Sequence, residues 1–343
     1  MVGLNDKEHG IKRQNVAKDP DDKISKSIKD YRSAESKVLD LRKNNVKTPE
    51  SLDSTTHLLD LNPEYYSIWN YRRIVLLHLF TQIGTERTQE KLSYELVFTL
   101  GLLKRFPKVY WIWNHRTWAL ETLSNTFTDE QSDGRLWEWN TELKMVDSLL
   151  KLDARNFHAW GYRRQLLTLM NYDKDVHSVK TFPHVLSRDQ LLKEKQFTLT
   201  FIESNFSNFS AWHQRTKILK QLWALDGRIS NEDLDEEFDL VRQAMYTDPS
   251  DQSVWLYHKW LIQQLSDDNI IEVLNRELES INELYELEPE SKWCLESLAH
   301  YNKLLYSHTQ STDLVHKYNE YLDKLISIDP DRRNRYMDSK ITL

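Results

Sequence analysis

The chain has 343 residues, and 46 Lys+Arg against 53 Asp+Glu leave a net charge of −7, which offers no basic face for a nucleic-acid backbone. Cys294 is the only cysteine; this excludes an intrachain disulfide and any multi-thiolate zinc site, and suits a reducing, cytoplasmic setting. Glycine occurs only 7 times, which opposes a turn-rich, many-stranded fold and favours all-α, while no apolar run approaches the ~20 residues of a membrane span.

Residues 1–20 are polar and read as a flexible N-terminal segment. Lys7, Lys12, Arg13, Lys18 and Lys23 interrupt any signal-peptide core. From Asp21 to Asn45 a helical pattern begins (Ile24, Ile28, Tyr31, Val38, Leu39, Leu41), expected to open a single helical-repeat domain over 21–343.

A repeat then starts at Asn62-Pro63-Glu64-Tyr65-Tyr66-Ser67-Ile68-Trp69-Asn70-Tyr71-Arg72-Arg73. Its anchors are Trp69, Trp113, Trp160, Trp212 and Trp255. Three residues before each stand Tyr66, Tyr110, Phe157, Phe209 and Gln252; three after stand Arg72, Arg116, Arg163, Arg215 and His258. Self-similarity at a period of 43 to 52 residues means one supersecondary unit repeated. Each tryptophan segment follows an amphipathic stretch, such as Leu143, Val146, Leu149 and Leu150, or Phe238, Val241, Met245 and Tyr246. A short, often Pro-bearing link joins the two, so the unit is a helix–turn–helix hairpin. Tyr66, Trp69 and Arg72 fall on one helical face. The tryptophans read as core spacers, each with one N–H to satisfy. The recurrent arginine is expected to pack its stem on that core and direct its guanidinium at a carbonyl or carboxylate of the next repeat; the alternative is that it binds an anionic ligand.

Hairpins are expected at 50–82, 91–124, 137–171, 189–226 and 233–266. Polar links lie at Gly84–Gln89, Asn125–Arg135 and Asp173–Ser187, the last long enough to be a tolerated surface insertion or, alternatively, a disordered or partner-facing loop. The acidic run Glu232-Asp233-Leu234-Asp235-Glu236-Glu237 stands where a helix begins, where the helix dipole favours it. Degenerate repeats follow near Trp293 and Tyr336, as terminal copies must meet solvent. The expected fold is a right-handed α–α superhelix of about seven hairpins. No His-Glu-x-x-His, Cys-x-x-Cys, Gly-rich phosphate loop or Gly-x-Ser-x-Gly elbow is present. From the residues alone the chain is a helical solenoid that grips another protein.

The pattern Asn-Pro-x-x-Tyr/Phe-x-x-Trp-Asn-x-Arg resembles the α subunits of heterodimeric protein prenyltransferases, strongly over residues 50–262. His9-Gly10-Ile11-Lys12-Arg13, Pro107 to Arg116, Asp153 to Trp160, Gln252 to Trp255 and Ile328 to Arg333 are most similar to the type II (Rab geranylgeranyltransferase) subunits. Length leaves no room for the immunoglobulin-like and leucine-rich domains of animal forms, so the compact fungal form is the better match. The resemblance implies a crescent wrapped around an α–α barrel β subunit that carries zinc and most of the isoprenoid pocket, with no cofactor in this chain. It implies transfer of geranylgeranyl from its diphosphate to C-terminal cysteines of Rab GTPases presented by an escort protein. It places Arg155 at the leaving diphosphate, and Phe157 and His158 at the α/β seam. Asn156, Asn114, His115, Tyr162, Arg163, His213 and Arg215 are further seam candidates. Two alternatives stand beside this reading: the α subunit shared by farnesyltransferase and the type I enzyme, and a non-enzymatic adaptor.

Overall fold

The computed structural model describes residues 21–127, 132–170 and 186–342. The flexible segment expected at 1–20 and most of the link expected at Asp173–Ser187 lie outside them. Among the described residues the regular structure is helical. An opening helix α1 (Asp21–Lys43) is followed by seven hairpins. These are α2 (Pro49–Leu61) with α3 (Tyr66–Phe80), α4 (Thr85–Arg105) with α5 (Tyr110–Ser124), and α6 (Ser132–Leu152) with α7 (Phe157–Met170). Then come α8 (Arg188–Ser204) with α9 (Phe209–Asp226), α10 (Asn231–Thr247) with α11 (Gln252–Ile262), α12 (Ile270–Leu287) with α13 (Lys292–Thr309), and α14 (Thr312–Ile328) with the short α15 (Arg333–Ser339). The chain forms two compact units, Met1–Trp137 and Glu138–Leu343. The second helices of successive hairpins touch within each: α3 with α5 in the first, and α7 with α9, α9 with α11 and α11 with α13 in the second.

The ends of these helices follow from local chemistry. Thr48 and Ser51 form a reciprocal capping box at α2, with Pro49 in the first turn where its missing N–H costs nothing. Ser187 and Gln190 do the same at α8. Helix α9 ends at Gly227, whose φ of +69° is the left-handed conformation that glycine adopts without a Cβ clash. The link expected at Gly84–Gln89 is shorter than the sequence suggests, because Gly84 is already the N-cap of α4. Thr85, Glu86 and Arg87 there face solvent along a helix rather than along a loop.

All five anchor tryptophans are buried, and each satisfies its indole N–H in the same way. Trp69, Trp113, Trp160, Trp212 and Trp255 donate from Nε1 to the carbonyls of Pro63, Pro107, Ala154, Phe206 and Pro249, at 2.8, 2.9, 2.9, 2.7 and 2.9 Å. The bond spans six residues and ties each hairpin link to the core, so one side chain supplies both apolar area and the partner for a turn carbonyl.

The recurrent arginine meets a buried carboxylate that the tryptophan pattern did not reveal. Arg72 makes a two-pronged pair with Glu95 (Nε–Oε2 and Nη2–Oε1, both 2.7 Å), and its Nη1 donates to Leu52 O and to the hydroxyls of Thr55 and Thr56. Arg163 pairs with Glu194 at 2.9 and 2.5 Å and also reaches Asp147. Arg215 pairs with Glu237 at 2.7 and 2.6 Å. In the fifth copy His258 Nε2 lies 3.0 Å from Glu277. A tyrosine or histidine of the following second helix often meets the same carboxylate: His115 on Glu95 at 2.9 Å and Tyr257 on Glu237 at 2.6 Å. One carboxylate thus fastens three helices. Glu95, Glu142, Glu194 and Glu237 each stand eighteen residues before a repeat tryptophan, and that spacing was the available signal. It also corrects the reading of the acidic run. Ser230 caps α10 and accepts from Asp233 N, but Glu237, the last acid, is fully buried and serves Arg215 rather than the helix dipole.

Several apolar positions expected in the core are exposed, among them Val97 and Tyr246. Each follows a buried neighbour, Leu96 or Met245, and one residue turns a helix by about 100°. Tyr246 instead donates to Ser280 O at 3.0 Å, from α10 to α12.

The Glu95 node has an acid-dependent consequence. Burial pushes the His115 imidazole down; Glu95 opposes it, Arg72 and Arg73 add to it, and the result is about 4, against 6.5 for the free side chain. His115 is therefore neutral in the folded protein near pH 6 and protonated in the unfolded chain below 6.5. The unfolded state binds the extra proton, so this contribution to stability is intact above pH 6.5 and lost as pH falls towards 4. The expected loss from His115 is about 3 kcal/mol across that window. Comparing unfolding free energies at the two ends for the native chain and His115→Gln checks it; an equal pH slope in both would contradict the buried neutral histidine.

Candidate functional site

The aromatic three residues before each tryptophan is the exception to the buried face. Tyr66, Tyr110, Phe157 and Phe209 are 57, 62, 65 and 58% exposed. Two steps of three residues turn a helix by about 120° from Tyr66 to Arg72, so a stripe that ends in the core begins in solvent. In the first unit Tyr66 lies against the half-exposed Trp111, ring centroids 5.4 Å apart. Nearby, the exposed Asn114 receives Arg73 Nη2 on its backbone and side-chain oxygens, at 2.9 and 2.6 Å.

The second unit gathers most of the expected site residues at the links that open α7 and α9. Asn156 is buried and shapes the start of α7: its Oδ1 accepts from the amides of His158 and Ala159, at 3.0 and 3.3 Å. This turn throws the neighbouring Arg155 and Phe157 outward. The Arg155 amide donates to Asp153 Oδ1 at 3.2 Å, and its guanidinium Nη2 donates to Ser207 O at 3.0 Å, in the link before α9. Asn208 Nδ2 returns a bond to Ala154 O at 3.2 Å. The two links are thereby tied, with Arg155 across their outer surface. Phe157 and His158 stack at 4.0 Å between ring centroids. Phe209 and His213 are exposed one turn apart on α9. Burial, Lys217 and Arg164 lower the His213 imidazole.

The structure separates the expected seam residues into two sets. Arg155, Phe157, His158, Asn114 and His213 stand wholly or partly at the surface. His115, Asn156, Tyr162, Arg163 and Arg215 are buried, and their polar atoms bond within the chain. Tyr162, for instance, donates to Glu142 Oε2 at 2.9 Å. Their place in the sequence puts them near the rim, but their helical phase turns them inward. Sequence reasoning passed over Arg73 and Arg164, each directly after a recurrent arginine. They bind the neighbouring hairpin's second helix, Arg73 at Asn114 and Arg164 at Gln214.

The rim can hold an apolar group on its exposed aromatics and an anionic group at Arg155. Among the described residues no cluster of three or more His, Cys, Asp or Glu side chains is placed to hold a metal ion. No described helix is long and apolar enough to cross a membrane. Cys294 is buried, and burial pushes its thiol up, away from thiolate chemistry.

Comparison with known proteins gives this geometry a context. The protein prenyltransferase alpha subunit repeat matches at residues 49–79, 92–123, 139–170, 191–222 and 234–265, the first five hairpins. Geranylgeranyl transferase type-2 subunit alpha of Schizosaccharomyces pombe is 36% identical, over 96% of each chain. Its namesake in Saccharomyces cerevisiae is 34% identical, over 96% of this chain and 98% of its own length. Among solved structures, Candida albicans protein geranylgeranyltransferase-I complexed with GGPP contains a chain of the same fold, with a TM-score of 0.66 at 22% identity over 90% of this chain and 89% of that one. The repeat, its register and the full-length identity agree, and the chain belongs to the family of geranylgeranyl transferase type-2 alpha subunits.

Proposed function

We propose that this chain acts as the α subunit of a cytoplasmic heterodimer that moves geranylgeranyl from its diphosphate to C-terminal cysteines of Rab GTPases, which an escort protein presents. The observation that carries the reading is the rim of the second unit. An exposed cation, Arg155, sits between exposed aromatics on two tied links, while the chain's other conspicuous arginines are consumed inside. An exposed cation beside exposed aromatics fits a subunit that contributes to an active site completed by another chain.

The chemistry divides accordingly. Zinc, expected in the β subunit, would lower the pKa of the acceptor cysteine and so favour its thiolate there. This chain's part is electrostatic. As the carbon–oxygen bond to diphosphate breaks, charge accumulates on the leaving oxygens, and a pre-placed guanidinium stabilises it. Arg155 takes that role, held in direction by Ser207 O and with further N–H groups to offer. Phe157 and His158 line the seam beside it, and Asn114 and His213 are outlying seam contacts. The central test of partnership is co-expression with type II and with type I or farnesyl β subunits. A stable one-to-one complex with the type II chain is expected. Exclusive pairing with another β subunit would move the assignment to the shared α subunit, and no pairing at all would leave an adaptor.

A further inference from the structure

A second basic feature lies on the same strip of the second unit. Between α7 and α9 is a pocket of about 370 Å³, with Arg164, Gln165, Gln214, Lys217 and Gln221 on its walls and Gly161 at its edge. The position after the repeat tryptophan is Asn70, Asn114, Gly161, His213 and Leu256 in successive copies. Only the third copy has no side chain there, and the space a Cβ would enter faces the Arg164 guanidinium at 3.8 Å. The missing side chain leaves Arg164 open to the pocket.

Among the described residues the pocket's charges are unbalanced. Arg164 Nη1 donates to Gln214 Oε1 at 2.8 Å, and among the described residues no carboxylate pairs with Arg164 or Lys217. Glu194 also lines the wall, but Arg163 holds both its oxygens from the core side. His213 stands one turn before Lys217 on α9. Burial and then the Arg164 charge lower Lys217, burial and then Lys217 and Arg164 lower His213, and burial lowers Arg164. Two half-buried cations that no described carboxylate pairs with are costly unless an anion arrives.

We propose that this pocket seats a carboxylate side chain of the partner subunit, which pairs with Arg164 and Lys217 across the interface. The inference rests on the partner reading above. Three observations favour a protein carboxylate over a free diphosphate. Gly161 and Arg164 of its wall follow Phe157 by four and seven residues on α7, and Lys217 follows His213 and Phe209 by four and eight on α9, so the pocket's helices carry exposed aromatics suited to a protein surface. Its amide-lined walls and the nearby Glu194 carboxylate suit a singly charged group better than one bearing three charges. Its Arg164 also lies about 10 Å along α7 from Phe157, apart from the position assigned to the leaving group.

The experiment uses the heterodimer. Zero-length carbodiimide coupling joins a lysine amine to a carboxylate only when the two touch. In the native complex Lys217 is expected to couple to one partner Asp or Glu, identified by mass spectrometry. Arg164→Gln with Lys217→Gln should weaken subunit affinity by about tenfold or more at low salt and flatten its salt dependence, while the melting curve of the isolated chain stays unchanged. Unaltered affinity with no Lys217 cross-link overturns the proposal. So does titration of the isolated chain with inorganic diphosphate if it shows binding that needs Arg164, because the occupant is then a phosphate. Failure of the native chains to pair at all would instead sink the partner reading, and this one with it.

Discussion

Replacing Arg163 by methionine is expected to destabilise the chain by about 3 to 5 kcal/mol, the cost of leaving a buried ionic partner uncompensated. The side chains of Arg163 and Glu194 are 7 and 3% exposed, and the carboxylate receives both of its bonds from the one guanidinium. The guanidinium also lies 3.5 Å over the centre of the Phe197 ring, which itself packs against Trp160. Methionine keeps the stem's apolar contact and removes the charge, so Glu194 must either stay ionised in a dry site or take up a proton. The thermal midpoint should fall by on the order of 10 °C. Pairing Arg163→Met with Glu194→Leu should restore much of the loss, because a buried ion pair is worth little more than a well-packed apolar pair of similar size. A loss below about 1 kcal/mol in the single variant would mean that Arg163 is not committed to the core.

Arg155→Ala is expected to lower kcat by about a hundredfold in the assembled enzyme, as loss of one pre-placed donor to a developing anion typically does. Heterodimer affinity should change little, because within the chain the Arg155 side chain makes one exposed bond, to Ser207 O. Arg155→Lys keeps the charge but loses the planar fork, and should recover part of the rate. Single-turnover kinetics separates transfer from product release. An unchanged kcat with a weakened heterodimer would assign Arg155 to the interface alone.

Much of the architecture is legible in the sequence because the repeat tryptophan and its neighbours have one job in every copy. A large side chain with one donor needs a carbonyl at fixed distance, so the position six residues earlier is constrained wherever Trp69, Trp113, Trp160, Trp212 or Trp255 occurs. The surface was harder to read. Tyr66, Tyr110, Phe157 and Phe209 look like core by composition, and only the turn of the helix shows that they face solvent. Arg155 and Arg163 look alike as letters; one is exposed because a buried Asn156 turns the link, the other is buried because Glu194 awaits it. That acid lies 31 residues away in sequence, and only its eighteen-residue spacing from the next repeat tryptophan could have revealed it. The α7–α9 pocket depends on a glycine in a slot where the other copies carry larger side chains, and it emerges only when the copies are compared as packed helices.

The most direct measurement of the central claim is transfer of labelled geranylgeranyl to a Rab protein by the purified heterodimer, with and without the escort protein. The proposed function requires transfer that depends on the escort and on both subunits. Escort-independent transfer to a short C-terminal cysteine peptide, or no transfer by any complex containing this chain, would contradict it.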